Sequence, residues 1–63
     1  MTNRLKEMRF KRMMTAADLA RESGISRSTI WKIEKGRTDD ITTRTMKKLA
    51  DALKVPVSEV FRL

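Results

Sequence analysis

Sixty-three residues without cysteine form a small domain that must be stabilised by packed side chains, since disulfides and thiolate metal sites are excluded. The formal net charge is +7, and residues 1–38 hold ten Lys/Arg and four Asp/Glu, whereas residues 39–63 hold five and four. This basic first half favours a polyanionic partner, either nucleic acid or an anionic membrane surface, although solubility alone explains the charge equally well. No apolar run approaches the ~18–20 residues of a membrane span, and the start is not a secretory signal, so we expect a cytoplasmic protein.

The first two predicted helices occupy the N-terminal third of the chain. The first runs from about Asn3 to Met13, with Thr2 or Asn3 as its cap. Thr15 then opens the second helix in a capping box with Asp18. Gly24 suits the left-handed conformation just past a helix end, so the second helix is predicted to stop at the residue before it.

The third predicted helix has two chemically different faces. Ser26 caps it, it runs from Arg27 to Lys35, and Gly36 stops it. At about 100° per residue, Ile30 and Ile33 lie on one side, which we assign to the core. The opposite side is cationic and hydrogen-bonding, with no acid at its centre, and it consists of Ser28, Lys32 and Lys35.

Two further helices complete the prediction. A fourth begins near Thr42 or Thr43 and carries a buried stripe at helical spacing, formed by Met46, Leu49, Ala50 and Leu53. The segment VPVSEVFRL reads as a short fifth helix that begins with proline. We therefore predict an all-α fold, a compact five-helix bundle, with residues 1–63 forming a single domain.

The second and third predicted helices form a helix-turn-helix at about residues 15–35. Only Gly24 and Ile25 separate the end of one helix from the Ser26 cap of the next. In such a motif the second helix enters the DNA major groove, where Arg donates two hydrogen bonds to guanine and Ser or Lys reaches bases or phosphates. A solvated helix in a plain bundle is the alternative.

The segments LKEMR, TAADLARESGISRSTIWKIEKGR and MKKLADALKVPVSEVF, at this spacing, resemble the lambda repressor/Cro-type (XRE-like) helix-turn-helix family. The resemblance extends from about Leu5 to Phe61. It implies a five-helix bundle of the lambda repressor-like type that binds operator DNA, usually as a homodimer. It also implies a prokaryotic, phage or plasmid protein that is associated with the nucleoid.

Carried over to this sequence, the resemblance implies specific roles for matching residues. The base-reading positions of the family correspond to Arg27 and Ser28, and a further base- or backbone-contacting position one turn later corresponds to Lys32. The family often pairs an Arg of its first helix with a Glu late in its third, and Arg9 and Glu34 occupy those positions as a structural pair.

Four further residues are candidates for contacts with the DNA backbone. Lys35 and Arg37 flank the glycine after the third helix, and Arg44 lies where the family often contacts backbone or minor groove. Trp31 has three possible roles: an aromatic at the edge of the core, a DNA-facing residue, or a contact for a partner protein.

The sequence departs from the family pattern at several positions. Ala16 replaces a glutamine that often touches phosphate. Met13 and Lys54 replace glycines just past the first and fourth helices, so we expect those turns to differ. Asp39 and Asp40 lie in a loop that runs near DNA in relatives, and we expect them to turn toward the N-terminus of the fourth helix.

A homodimer needs an interface, and the C-terminal segment is our candidate. A short exposed apolar cluster is typical of a surface that becomes buried in a protein–protein interface. The residues predicted to form this dimer surface are Val57, Val60, Phe61 and Leu63.

The chain lacks the parts of an enzyme. There is no histidine, cysteine or tyrosine, no Gly-rich phosphate loop, and no acid spacing typical of a metal site. We therefore predict no catalytic residue, no metal and no cofactor.

The leading hypothesis is a sequence-specific, double-stranded DNA-binding transcriptional regulator, a repressor that binds an inverted repeat as a homodimer. One alternative is an antitoxin, or another protein-interaction module, that also binds its own promoter, with a toxin or antirepressor as partner. The other is a membrane-surface or nonspecific polyanion binder, whose affinity would depend on salt and not on sequence.

Overall fold

The computed structural model describes residues 3–37 and 41–61, and this part of the chain is helical with short turns. Apart from one isolated bridge between Asn3 and Phe61, these residues contain no extended pairing, so the all-α prediction is confirmed. None of the helices in these two ranges is long and apolar enough to cross a membrane. The helices are α1 Leu5–Lys11, α2 Ala16–Ser23, α3 Arg27–Glu34, α4 Thr43–Leu53 and α5 Val57–Val60.

Helices α2, α3 and α4 begin at the polar caps that the sequence predicts. In the capping box of α2, the Asp18 N–H donates to Thr15 Oγ1 at 3.0 Å and the Thr15 N–H donates to Asp18 Oδ2 at 2.9 Å. Ser26 Oγ accepts from the Thr29 N–H at the start of α3. Thr42 Oγ1 accepts from the Thr45 N–H at the start of α4. Each cap satisfies a backbone donor that has no partner within its own helix.

Helix α1 is shorter than predicted at both ends. At its N-terminal end, the residues before the helix make contacts with other parts of the chain. Asn3 Oδ1 accepts from the Leu5 N–H at 3.0 Å, as a cap does. Asn3 Nδ2 donates to the Ile33 carbonyl at 2.9 Å, and the Arg4 N–H donates to the Val60 carbonyl at 2.8 Å. The N-terminal segment is therefore tied to α3 and α5 rather than wound into α1. The alternative cap, Thr2, lies outside the described residues.

Helices α1, α3 and α4 each end in the same type of turn, in which a residue with left-handed backbone conformation follows the helix. That residue is Gly36 after α3, with φ +66°, but it is Met13 after α1, with φ +55°, and Lys54 after α4, with φ +59°. The expectation that the turns at Met13 and Lys54 differ is wrong. The same pair of backbone hydrogen bonds closes all three turns, made by Met13 and Met14, by Gly36 and Arg37, and by Lys54 and Val55.

The core lies between α4 and the helix-turn-helix. Helix α2 packs against α3 and α4, α1 packs against α3, and α5 packs against α4. The predicted stripe of α4 is buried. It belongs to a core of eleven buried apolar residues within the described ranges: Leu5, Met8, Leu19, Ile30, Ile33, Met46, Leu49, Ala50, Leu53, Val60 and Phe61. Helix α3 is thus fixed to the bundle along one side only.

The proposed dimer surface is wrong for two of its residues. Val60 is fully buried and Phe61 is 2% exposed, because the chain after α5 folds back against the N-terminal segment and the core. Both side chains stabilise the monomer, so they are not available to a second copy. Val57 is half-buried against the same core, and Leu63 lies outside the described residues.

Candidate nucleic-acid interface

Helix α3 presents a polar face to solvent, as its sequence pattern predicts. Ile30 and Ile33 lie in the core. The side chains of the opposite side are exposed, and with the residues just past the helix end they form what we call the α3 surface: Arg27, Ser28, Trp31, Lys32, Lys35 and Arg37. The structure therefore brings six of the predicted site residues onto one side of the domain.

The first turn of α3 is ordered by the cap hydroxyl. Ser26 Oγ donates to Thr29 Oγ1 at 2.8 Å and lies 3.3 Å from Ser28 Oγ, in addition to accepting the Thr29 N–H. Arg27 is the first residue of the helix and is exposed beside this cluster. The turn thus places a guanidinium and a hydroxyl next to a helix N-terminus, where backbone N–H groups favour anions.

The acid of α3 is turned away from this surface and paired. Arg9 Nε donates to Glu34 Oε2 at 2.8 Å, Nη2 donates to Oε1 at 3.1 Å, and Nη1 donates to the Met14 carbonyl at 3.0 Å. Both charged side chains are 9% exposed. The hydrogen bond with Glu34 raises the pKa of Arg9 above its ordinary value. This two-pronged ion pair ties α1 to the C-terminal end of α3 and removes negative charge from the outer face.

Trp31 and Arg37 are in contact, although the sequence was not expected to pair them. The indole side chain is 49% exposed, and the Arg37 guanidinium carbon lies over its ring, 5.3 Å from the centroid. The signal was available in Gly36, because the turn that a glycine favours after a helix brings the next residue back beside the last full turn.

Two candidate positions lie outside the α3 surface. Arg44 is the second residue of α4 and is exposed beside the cap of that helix. Ala16 begins α2 and carries no polar group, so a phosphate contact there is limited to the backbone. Asp39 and Asp40, whose orientation we expected to favour α4, lie outside the described residues.

Several exposed cations of the domain pair with acids, whereas those of the α3 surface form no ion pair with an acid of the described residues. The paired ones are Arg4 with Glu7 and Glu59, Lys11 with Glu7, Arg21 with Asp18, and Lys47 with Asp51. No ion pair within residues 3–37 and 41–61 includes a cation of the α3 surface or Arg44. This part of the domain is therefore suited to a polyanion.

The model of the family described as Helix-turn-helix matches residues 5–60, which include the α2–turn–α3 unit and the helices that support it. The chain belongs to the helix-turn-helix family, of the XRE type that the sequence resembles. A helix-turn-helix is a DNA-binding motif whose second helix lies in the major groove.

Named relatives are consistent with this membership. Over 52 residues, or 82% of this chain, it is 50% identical to the HTH-type transcriptional regulator RghRB and 42% identical to the HTH-type transcriptional repressor RghR, both of Bacillus subtilis. These matches cover only 37% and 38% of the two relatives. An HTH-type transcriptional regulator of Methanocaldococcus jannaschii is 38% identical over 97% of this chain and 91% of its own length. The chain thus spans less than two-fifths of the Bacillus relatives and most of the archaeal one.

Proposed function

We propose that this domain binds double-stranded DNA sequence-specifically through α3 and acts in a transcriptional regulator. The observation that carries the proposal is the α3 surface, where exposed cations and a hydroxyl lie together and the one acid of the helix is paired with Arg9 on the inner side. A solvated helix in a plain bundle has no need to segregate its charges in this way. The named relatives are transcriptional regulators, which supports the same assignment.

The first turn of α3 supplies the proposed base contacts. Arg27 extends from the start of the helix, where its guanidinium can donate two hydrogen bonds to a guanine in the major groove. Because the Ser28 side chain is short, its hydroxyl contacts a base edge or a phosphate only when α3 lies close to the DNA. Lys32, one turn later on the same exposed side, reaches bases farther along the groove.

The end of α3 and the start of α4 supply the proposed backbone contacts. Lys35, Arg37 and Arg44 are exposed cations without acidic partners in the described ranges, and we assign them to phosphates. Trp31 lies beside Arg37 on this backbone-facing side. Phosphate contacts fix the position of the domain on the duplex, whereas base contacts determine the sequence that is bound.

We further propose that the protein is a repressor that binds an inverted repeat as a homodimer. Two copies on DNA would place their α3 helices in successive major grooves, about 34 Å apart. The relative RghR is a transcriptional repressor, which supports the direction of regulation. The interface between copies would not include the side chains of Val60 and Phe61, which lie in the monomer core.

Replacing Arg27 by alanine tests the base-reading assignment. A bidentate contact to guanine is worth about 1–3 kcal/mol, so Arg27→Ala should weaken binding to the preferred duplex by that amount and relax the preference at one base pair. Lys48→Ala is the matched control, because it removes one exposed cation of α4 that lies beside Glu22 and Asp51 and that we do not assign to DNA.

The outcome is read from dissociation constants on the preferred duplex and on duplexes changed at single base pairs. An equal loss on every duplex would reassign Arg27 to a phosphate. An effect no larger than that of Lys48→Ala would contradict a role for Arg27 in binding.

A further inference from the structure

Trp31 occupies an unusual position for a large apolar side chain. It is the only tryptophan of the chain, it lies on the solvent side of α3, and 49% of it is exposed. It does not belong to the buried core, which covers the other side of the helix. Its indole ring lies against a cation: the guanidinium carbon of Arg37 is 5.3 Å from the ring centroid. This separation is within the range of a cation–π interaction.

The turn after α3 explains why Arg37 reaches the ring. Gly36 takes φ +66°, its N–H donates to the Ile33 carbonyl at 3.1 Å, and the Arg37 N–H donates to the Lys32 carbonyl at 2.9 Å. Helix ends with this pair of bonds often carry an apolar contact between the residue after the glycine and a residue one turn back in the helix. Arg37 and Trp31 occupy those two places, and the contact between them is made by a guanidinium on an indole.

The contact leaves the charge of Arg37 available. No carboxylate of residues 3–37 or 41–61 forms an ion pair with it, and the side chain is exposed. A guanidinium that rests on an aromatic face keeps its N–H groups free to donate at its edge, and phosphate oxygens accept in that geometry. The backbone of Arg37 is fixed by the turn and its side chain is restrained by the ring, so less rotational freedom is lost when an anion binds.

We propose that Trp31 is a positioning residue, which orients Arg37 toward a DNA phosphate without itself contacting the DNA. The inference rests on the proposed function and assigns one residue of that same surface. An exposed cation–π contact corresponds to about a 2–5-fold change in an equilibrium constant. Loss of the ring should therefore weaken DNA binding by about that factor per domain, and only while Arg37 is present.

The test is a double-mutant cycle on DNA binding, with Trp31→Leu, Arg37→Gln and the double variant. Because a phosphate contact does not depend on sequence, the probe is a fluorescently labelled mixed-sequence duplex at low salt, titrated with the full chain. We expect Trp31→Leu to weaken binding about 2–5-fold in the wild-type background and to have no further effect in the Arg37→Gln background. Trp31→Phe keeps an aromatic face and should retain most of the affinity.

Two further readouts separate positioning from a merely structural role. The dependence of log K on log salt should fall by about 0.9 when Arg37→Gln removes one phosphate contact, and Trp31→Leu should not lower it further in that background. In the free protein, Arg37→Gln uncovers the indole, so Trp31 fluorescence should shift to longer wavelength. The helical circular dichroism of all variants should match that of the wild type, since the exposed contact contributes little to folding.

The outcomes are distinguishable. Additive effects of the two substitutions would mean that Trp31 contacts DNA itself, and they would overturn the inference while leaving the proposed function intact. Full affinity of Trp31→Leu would also overturn it. A wild-type chain that binds no duplex would overturn the proposed function and this inference with it.

Discussion

Removal of Glu34 alone should cost the domain a large part of its stability, although the change affects a single acidic side chain. In the wild type its carboxylate accepts two hydrogen bonds from Arg9, and both side chains are 9% exposed. Glu34→Leu leaves the Arg9 guanidinium largely buried with one remaining partner, the Met14 carbonyl. Breaking a buried pair from one side costs about 3–5 kcal/mol. A domain of 63 residues has about 3–9 kcal/mol of stability in total, so the loss is comparable to the whole.

The same reasoning predicts recovery when both charges are removed. Arg9→Met with Glu34→Leu replaces the ion pair by apolar side chains of similar size, a change that is often neutral or stabilising. The hydrogen bond to Met14 is also lost, at about 1 kcal/mol. We therefore expect the double variant to lie within about 2 kcal/mol of the wild type and well above Glu34→Leu.

Urea denaturation followed by helical circular dichroism measures all three stabilities. An equal slope with denaturant would show that the proteins unfold from equally compact states. A Glu34→Leu variant within about 1 kcal/mol of the wild type would contradict the view that this pair is buried and essential to the fold. A double variant no more stable than Glu34→Leu would contradict the view that the unpaired charge is what destabilises it.

Three further predictions concern local features. Met13 is 92% exposed at φ +55°, so Met13→Gly should raise stability by about 0.5–1 kcal/mol, whereas Met13→Ala, which keeps the Cβ, should leave it unchanged in the same denaturation assay. Hydrogen bonds from the backbone N–H and hydroxyl of Thr15 lower the pKa of Asp18, so its contribution to stability is present above its ordinary pKa and is lost as the pH falls below it. The stability difference between wild type and Asp18→Asn should therefore shrink as the pH is lowered from 5 to 2, and a constant difference would refute this assignment. Phe61 is buried in the core, so Phe61→Ala should lower the free energy of unfolding by about 3–5 kcal/mol at every protein concentration. A loss that depends on protein concentration would indicate instead that Phe61 lies in a dimer interface.

The features that the sequence predicted well are local ones. Thr15, Ser26 and Thr42 each cap a helix because a hydroxyl can reach an N–H two or three residues later, whatever the tertiary structure. The split of α3 into a core side and a polar side follows from helix geometry alone. These rules were sufficient to find the helix-turn-helix and the residues of the α3 surface.

The incorrect assignment of Val60 and Phe61 to a dimer surface depends on distant partners. Val60 and Phe61 form an apolar cluster that could cover the core of the same chain or a second copy, and the choice is made by backbone contacts with Asn3 and Arg4, more than fifty residues away. Met13 also escaped prediction, because it lacks the glycine that marks a left-handed turn and yet takes φ +55°. The positive φ is accepted at a cost of about 1 kcal/mol or more.

The central claim is that α3 reads a DNA sequence, and selection from a random duplex library at physiological salt tests it most directly. The bound fraction would be sequenced after several rounds, with the wild-type chain and Arg27→Ala treated in parallel. We predict a two-fold-symmetric consensus for the wild type, with half-sites about one helical turn apart, and a weaker preference at one position of each half-site for the variant. Binding that enriches no sequence and depends only on salt would contradict it, because the α3 surface would then supply charge without readout.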